Sequence, residues 1–141
     1  MPSVDLCSTT DSKAFVDGDE LKDAIRSYLQ DGSNSSSTVA LTYGWPIGQW
    51  CVAQVRDFSH LMHDTYYSRR YGDPPELFHT FNEPIGDWDV SSATDMSNMF
   101  SHAVSFHQDL SRWDTSSVSD MSYMFNGATS FHSDLSKSYR R

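Results

Sequence analysis

Apolar and polar residues recur in a fixed pattern over the second half of the chain, and the pattern is written twice. The string "WDVSSATDMSNMF", which begins at Trp88, is followed 25 residues later by "WDTSSVSDMSYMF", which begins at Trp113. A fixed period of about 20–50 residues is typical of proteins in which each repeat buries its apolar face against its neighbours. We therefore expect residues 81–134 to form two full repeats whose stacking builds the core.

Each copy also contains a helical spacing of apolar residues. They recur at i, i+3, i+4 and i+7, which places them on one stripe of a short helix. In the copy that begins at Phe81 they are Met96, Met99, Phe100 and Ala103. Thr94 stands just before the stripe, where its hydroxyl can cap the first turn. The segment "FHQDLSRWD" that follows lacks this spacing and predicts one short strand or turn per repeat.

An earlier and more divergent copy precedes these two. The string "PIGQWCVAQVRDFSHLM" of residues 46–62 matches "PIGDWDVSSATDMSNMF" at a distance of 38 residues, so we assign a divergent first repeat to residues 43–63. The additional residues fall within 64–80, where Gly72, Pro74 and Pro75 predict an exposed inserted loop. Residues 135–141 begin a further copy and stop inside it, as a fragment or a truncated gene model would.

The residues before the repeats predict an amphipathic helix over 17–32. Asp17 or Asp19 can cap its start and Gly32 its end. Its apolar stripe consists of Leu21, Ala24, Ile25, Tyr28 and Leu29. Repeat proteins need a terminal element that is apolar inside and polar outside, so this segment is predicted to be an N-terminal capping helix. A flexible amino terminus over 1–16 and a linker over 33–42 flank it, and the expected fold class is an α/β repeat solenoid.

Composition and charge narrow the function classes. The formal net charge is −9 and the pI is about 4.8, which disfavours binding to nucleic acid or to anionic membranes, because both require a positive surface. No apolar run approaches the ~20 residues that span a bilayer, so we expect no membrane insertion. The first residues lack the charged and apolar regions of an export signal, so none is expected.

The two cysteines, Cys7 and Cys51, are too few for a disulfide framework and have no metal-binding spacing. The scarcity of disulfides in intracellular proteins favours two free thiols, but the sequence does not decide whether they pair.

The columns of the repeat resemble a known family. The string "FNEPIGDWDVSSATDMSNMFSHAVSFHQDLSRWDTSSVSDMSYMFNGATSFHSDLS", from Phe81 to Ser136, is similar to the repeats of the BspA-like leucine-rich-repeat surface proteins. The resemblance implies a solenoid of leucine-rich-repeat-like coils, each a short strand or turn plus a short helix, without catalytic activity. It also implies a secreted or cell-surface protein with an adhesion or protein-binding role, although the compartment is left open by the missing export signal.

The inserted loop is the predicted contact surface. It concentrates aromatic and basic residues in an otherwise acidic chain, and these are Tyr66, Tyr67, Arg69, Arg70 and Tyr71. Tyr and Arg are enriched at binding hot spots because they offer large contact areas and directed donors. The alternative is that the aromatic rings fold back onto the first repeat and the arginines pair with nearby acids.

No pattern in the sequence predicts a catalytic, metal or cofactor site. Asn82, His107 and His132 occupy one column, which predicts a ladder of hydrogen bonds, since the four-ligand spacing of a zinc site is absent. The repeated aspartates lack a calcium-loop pattern and are expected to serve turns and caps. We therefore predict that the chain is not an enzyme and carries no cofactor.

The predicted function is that of a non-enzymatic binding or adhesion module whose partner is a protein or a cell-surface ligand. The alternative is a purely structural segment of a longer repeat protein with no binding role of its own. The incomplete last copy should expose Leu135 and the faces of Phe125 and Trp113, which predicts self-association through this edge.

Overall fold

Two α-helices are present in the described part of the chain, and both lie on the amino-terminal side of the repeats. The computed structural model describes residues 7, 12–31, 34–63 and 77–132. Helix α1 spans Gly18–Gln30 and helix α2 spans Thr38–Tyr43. Short 3₁₀ turns cover Ile47–Gln49 and Leu77–Thr80. The other described residues form turns and irregular backbone, with isolated bridges in place of strands.

Helix α1 forms because its start is capped and one of its faces is apolar. The side chain of Asp17 accepts a hydrogen bond from Glu20 N at 2.9 Å, and Glu20 Oε1 accepts one from Val16 N at 3.1 Å. These carboxylates satisfy amides that the first helical turn leaves free. The buried face consists of Leu21, Ala24, Ile25 and Tyr28, which belong to the stripe that the sequence places on this side. The helix therefore packs against the repeats through its apolar face.

Helix α2 lies in the segment that the sequence analysis assigned to a linker over 33–42. Its start is capped by Ser37, whose hydroxyl oxygen accepts from Ala40 N at 3.2 Å. It ends at Gly44, where φ is 104°, a backbone conformation that favours glycine. Six residues are too few to show a helical period, which explains why the sequence did not predict this helix. The division of the remaining chain into segments stays a prediction.

Consecutive copies lie side by side in parallel register and are joined through their backbones. Bridges pair Asp57 with Asp95 and Asp95 with Asp120, at the same distances by which the sequence repeats. Around each bridge, every second N–H group donates to a carbonyl of the following copy. From the second copy (81–105) to the third (106–130) these bonds are Met96 N to Asp120 O, Asn98 N to Ser122 O, Phe100 N to Met124 O and His102 N to Asn126 O, at 2.7–3.0 Å.

The backbone of each copy is a series of turns and not a helix. Of the N–H groups between the donors, Ser97 N bonds the Asp95 carboxylate, and those of Met99 and Ser101 bond carbonyls three residues back, so no run of i to i−4 bonds develops. Left-handed residues interrupt any helical run, since φ is 56° at Asn98 and 62° at His102. The hydroxyl of Thr94 donates to a carbonyl of the first copy (43–63) at 3.3 Å and caps no helix.

The predicted fold class is therefore wrong. We expected an α/β repeat solenoid of leucine-rich-repeat-like coils, each with a strand or turn and a short helix, and an N-terminal capping helix. The described residues of the second and third copies contain no helix, and the bridges do not extend into strands. In the second copy alternate N–H groups serve the neighbouring copy, which leaves too few for helical bonding. In the third copy the left-handed residues Tyr123 and Gly127 interrupt any helical run.

The hydrophobic core runs through all three copies, and each copy contributes one tryptophan to it at an equivalent position. Trp50, Trp88 and Trp113 occupy one column and are at most 3% exposed. The two later rings each donate Nε1–H to a carbonyl of the preceding copy, with Trp88 bonding Ile47 O at 2.8 Å and Trp113 bonding Ile85 O at 3.0 Å. Burial of these rings together with their paired donors fixes the register between copies.

A disulfide joins Cys7 to Cys51, whose Cα atoms are 5.0 Å apart. The preference for two free thiols that we drew from the scarcity of intracellular disulfides is therefore wrong. Sequence reasoning could not decide the matter because the cysteines are 44 residues apart and no spacing pattern links them.

Residues 12–16 are held against the body of the protein next to this disulfide. Phe15 is fully buried, and its N–H donates to Cys51 O at 3.0 Å. Lys13 N donates to Thr42 O at 2.9 Å. This part of the amino-terminal segment, which we expected to be flexible over 1–16, is thus anchored by backbone bonds and by a buried aromatic ring.

Candidate functional site

The backbone surface of each copy has two different sides. One side presents carbonyl oxygens to the preceding copy, and the other presents N–H groups to the following copy. The acceptor row of the second copy is filled in this way, because Phe58, His60 and Met62 donate their N–H groups to Asp95, Ser97 and Met99 at 2.8–3.0 Å. An unfilled row of this kind is a template for pairing with another chain, as the edge of a β-sheet is.

Within residues 7, 12–31, 34–63 and 77–132, the donor row of the third copy has no acceptors. It consists of the backbone N–H groups of Met121, Tyr123, Phe125 and Gly127, each 25 residues after a paired donor of the second copy. No described residue accepts a hydrogen bond from these four groups. We call this row the open edge. Since buried N–H groups without acceptors are costly, the edge must stay hydrated until an acceptor covers it.

The side chains beside the open edge are less buried than the residues 25 positions before them in the sequence. In three column pairs the earlier residue is fully buried and the later one is partly exposed, and these pairs are Met96 and Met121, Phe100 and Phe125, and Phe106 and Phe131. Tyr123 is 68% exposed. The third copy therefore exposes both backbone donors and apolar side chains on the same side.

The aromatic rings of this side form a ladder that ends at the open edge. Phe100 stacks on Phe125 with ring centroids 5.5 Å apart, and Phe106 stacks on Phe131 at 5.9 Å. Phe125 and Phe131 also stack on each other at 4.0 Å. Each ring of the last rung therefore has one face covered by the preceding rung, and stacked rings contribute beyond their buried area.

The opposite side of the repeats is covered by helix α1. The acceptor row of the first copy includes the carbonyls of Asp57 and His63. The carbonyl oxygen of Asp57 lies against Gly18 of the helix, and Lys22 Nζ donates to His63 O at 3.0 Å and to His60 O at 2.6 Å. The two sides thus differ, because one acceptor row is covered by a helix and one donor row is open.

Three histidines cluster beside Lys22. The rings of His60 and His63 stack with centroids 5.5 Å apart and their Nδ1 atoms 3.3 Å apart, and His102 lies 5.7 Å from His63. Burial lowers the pKa of His63 below its usual range, and the neighbouring His60, His102 and Lys22 lower it further. Within the described ranges, no group of three or more His, Cys, Asp or Glu side chains could hold a metal ion.

The aspartates of the repeat shape turns, as the sequence predicted for this residue type. In each Asp-x-Ser unit the carboxylate accepts from the serine N–H two residues later, at 2.8–3.0 Å. The aspartates that do so are Asp57, Asp89, Asp95, Asp109, Asp114 and Asp120. In several units the serine hydroxyl donates to the same oxygen, as Ser97 does to Asp95 at 2.7 Å. Each of these carboxylates therefore stabilises the turn in which it lies.

The predicted ladder of hydrogen bonds is present between Asn82 and His107. His107 N donates to Asn82 Oδ1 at 2.9 Å, and Asn82 Nδ2 lies 3.2 Å from His107 Nε2. Gln108 Nε2 adds a bond to Asn82 O at 2.9 Å. His132, the next member of the column, is exposed. The ladder therefore joins the second and third copies at the surface.

The residues of the predicted binding loop lie outside the described residues. Tyr66, Tyr67, Arg69, Arg70 and Tyr71 fall within 64–76, so their role as a contact surface stays a prediction.

The residues expected at the exposed last copy have different outcomes. Phe125 is partly exposed as expected, whereas Trp113 is only 3% exposed, with the tilted ring of Phe100 from the second copy 6.2 Å away. Leu135 lies outside the described residues.

Sequence reasoning did not identify the donors of the open edge. Side-chain patterns do not report backbone N–H groups, and whether these groups are paired depends on the neighbouring copy. One signal was present, since Asn98 and Gly127 belong to residue types that favour a left-handed backbone and so argue against a helix through these positions.

Comparison with known families adds one match. The model of a family described as "Mycoplasma protein of unknown function, DUF285" matches residues 75–140, which include the second and third copies. No curated protein and no solved structure matches the chain. The match therefore covers the part of the chain that contains the repeat columns.

None of the helices in the described ranges has the length and apolar character needed to cross a bilayer.

Proposed function

We propose that this chain is a non-catalytic protein-binding module of the BspA-like repeat type and that the open edge is its contact surface. One observation carries the proposal: four N–H groups of the third copy have no acceptor among the residues that the structure describes, while their equivalents in the second copy are all paired. The partly exposed rings of Phe125 and Phe131 lie on the same side. A protein ligand could pair its backbone carbonyls with these N–H groups and cover the apolar surface beside them.

The match of residues 75–140 to the DUF285 family supports the assignment to a repeat family, and the columns of the repeat support its BspA-like character. The Cys7–Cys51 disulfide supports a place of action in an oxidising compartment, such as the cell surface. Adhesion would then be binding through this edge to a protein on another surface.

A random library of displayed 16-residue peptides, selected on the full chain, tests this proposal. Met121→Pro is the matched variant, because proline removes one N–H of the edge and breaks no bond among the described residues. Its thermal melt must match that of the parent before it is used for counter-selection. A second variant, Phe125→Leu, keeps the N–H group and removes the aromatic ring.

We expect the parent to enrich peptides that both variants bind at least about tenfold more weakly, a difference of about 1.4 kcal/mol. If the enriched peptides bind both variants as tightly as the parent, they do not bind at this edge. If no peptides are enriched, binding at this edge is contradicted as well. The second result would favour the alternative of a purely structural segment.

A further inference from the structure

The structure itself contains two examples of what fits a donor row. The first copy is covered by the acceptors of the second copy, and the second copy is covered by those of the third. In both cases the acceptors are carbonyl oxygens of the Asp-Met-Ser segment and of the residues that follow, starting at Asp95 and at Asp120. We propose that the partner of the open edge is an Asp-x-Ser repeat segment of another repeat protein, which pairs its carbonyl row with the four free N–H groups. This inference rests on the proposed function.

The Asp-x-Ser unit makes a segment suitable as an acceptor. Ser122 N donates to Asp120 Oδ1 at 2.9 Å, and its hydroxyl donates to the same oxygen at 2.6 Å. The serine carbonyl is then free to accept Asn98 N at 3.0 Å. Because the N–H and the hydroxyl of the serine are bound internally, they do not compete for the acceptors, and the carbonyl oxygens of Asp120 and Ser122 accept from the preceding copy. A segment without this turn would present competing N–H groups, which repel a donor row.

Apolar side chains add a second requirement for the partner. Where one copy lies on the preceding one, its side chains also bury the apolar residues of that copy. Met96 and Phe100 of the second copy, next to the third copy, are fully buried. A partner therefore needs an aromatic residue five positions after its aspartate, so that the ring stacks on Phe125 as Phe125 stacks on Phe100. A segment of the form Asp-Met-Ser-x-Met-Phe satisfies both requirements.

A second copy of this chain does not fit the open edge. The acceptor row of its first copy is in contact with Gly18 and Lys22 of helix α1, so it is not available. Two open edges cannot pair with each other either, because both present N–H groups in the same row. The predicted self-association of the chain is therefore less favourable than pairing with a repeat whose acceptor row is uncovered.

A peptide with the sequence of residues 113–131 of this chain, "WDTSSVSDMSYMFNGATSF", is the probe for this proposal. It is added to the ¹⁵N-labelled full chain, both free and tethered by a flexible Gly/Ser linker, since tethering raises its local concentration. The control peptides are a scrambled sequence and one in which alanine replaces the aspartate and serine of its DMS unit. The readout is hydrogen exchange of individual amides together with light scattering.

We expect the repeat peptide to slow exchange at Met121, Tyr123, Phe125 and Gly127 by at least about tenfold. Both control peptides should give at most a small part of this protection, and Met121→Pro should weaken the effect. Light scattering should show that the chain without peptide is a monomer.

Three results would overturn the inference. If edge-dependent library peptides lack the Asp-x-Ser unit and the repeat peptide protects nothing in either format, the protein-binding proposal stands and the partner class is wrong. If neither library nor repeat peptides bind, both proposals fail. A dimer whose edge amides are protected without peptide would show that a second copy is the occupant.

Discussion

At the scale of single residues, the backbone conformation depends on a few positions that repeat in columns. His60, Asn98 and Tyr123 share one column, and φ is 56–57° at all three. Asparagine and histidine are enriched in this left-handed conformation, whereas tyrosine is not. The column is thus set by the pairing of neighbouring copies more than by local preference.

Asn98→Val should lower the free energy of unfolding by about 1–2 kcal/mol, because a β-branched residue is strained at positive φ. The matched control is Ser92→Val, which places the same side chain at an exposed position of the same copy without positive φ. Urea unfolding followed by circular dichroism measures both changes. Equal losses in the two variants would contradict a left-handed backbone at Asn98.

The close approach of two copies requires a glycine at position 86. A Cβ atom there would lie 2.6 Å from Asp109 O of the third copy. Gly86→Ala should therefore cost about 1–3 kcal/mol of unfolding free energy, as overpacking does. Ser111→Ala, in the same column of the third copy, is the control and should be nearly neutral. If chemical denaturation finds Gly86→Ala as stable as the parent, the copies are farther apart than described.

At the scale of elements, helix α1 and the turns of the first copy meet at the histidine cluster. Lys22 donates to the carbonyls of His60 and His63, and burial together with the neighbouring His60, His102 and Lys22 lowers the pKa of His63. The contact between the helix and the repeats therefore includes a site at which an additional proton is unfavourable.

The stability of the fold should fall as the pH drops below about 6.5, the usual pKa of histidine. The pKa of His63 is lowered in the folded state, so the unfolded chain takes up its proton first. The contribution of neutral His63 to the free energy of unfolding is fully present above the pKa of this histidine in the unfolded chain. It is lost as the pH falls through the lower pKa of His63 in the folded protein.

Between pH 7.5 and 5.5 we expect His63→Gln to reduce the drop in Tm by about 1–3 °C, a small figure because the ring is partly solvated. His132→Asn removes an exposed histidine and should leave the drop unchanged. If His63→Gln melts with the same pH dependence as the parent, His63 is not the group that titrates.

The register of the copies could be predicted from the sequence, whereas their backbone conformation could not. The columns that pair Trp88 with Trp113 set the register of the copies, and the backbone bonds follow that register. The spacing of Met96, Met99 and Phe100 predicted a helix, and this prediction was wrong. A series of turns also brings these three residues to one side of the chain, so the spacing does not distinguish the two structures. The disulfide and the open edge depend on spatial neighbours, and no local pattern encodes them.

At the scale of the whole molecule, the disulfide ties the amino-terminal segment to the first copy. The disulfide closes a loop with a sequence separation of 44 residues, which should stabilise the fold by about 4 kcal/mol in the chain-entropy model. Guanidinium unfolding with and without a reductant measures the difference. The double variant Cys7→Ser/Cys51→Ser should have the stability of the reduced parent and no response to reductant. An unchanged midpoint after verified reduction would contradict the role of the disulfide.

The central claim is that the third copy presents a row of backbone donors to which no described residue offers an acceptor. Native-state hydrogen exchange of the labelled full chain, read amide by amide by NMR, tests it most directly. The paired amides of Met96, Asn98, Phe100 and His102 should exchange at least about 100-fold more slowly than the equivalent amides of Met121, Tyr123, Phe125 and Gly127. Equal protection of the two rows in a monomer would show that the third copy is already covered, and the proposed binding edge would not exist.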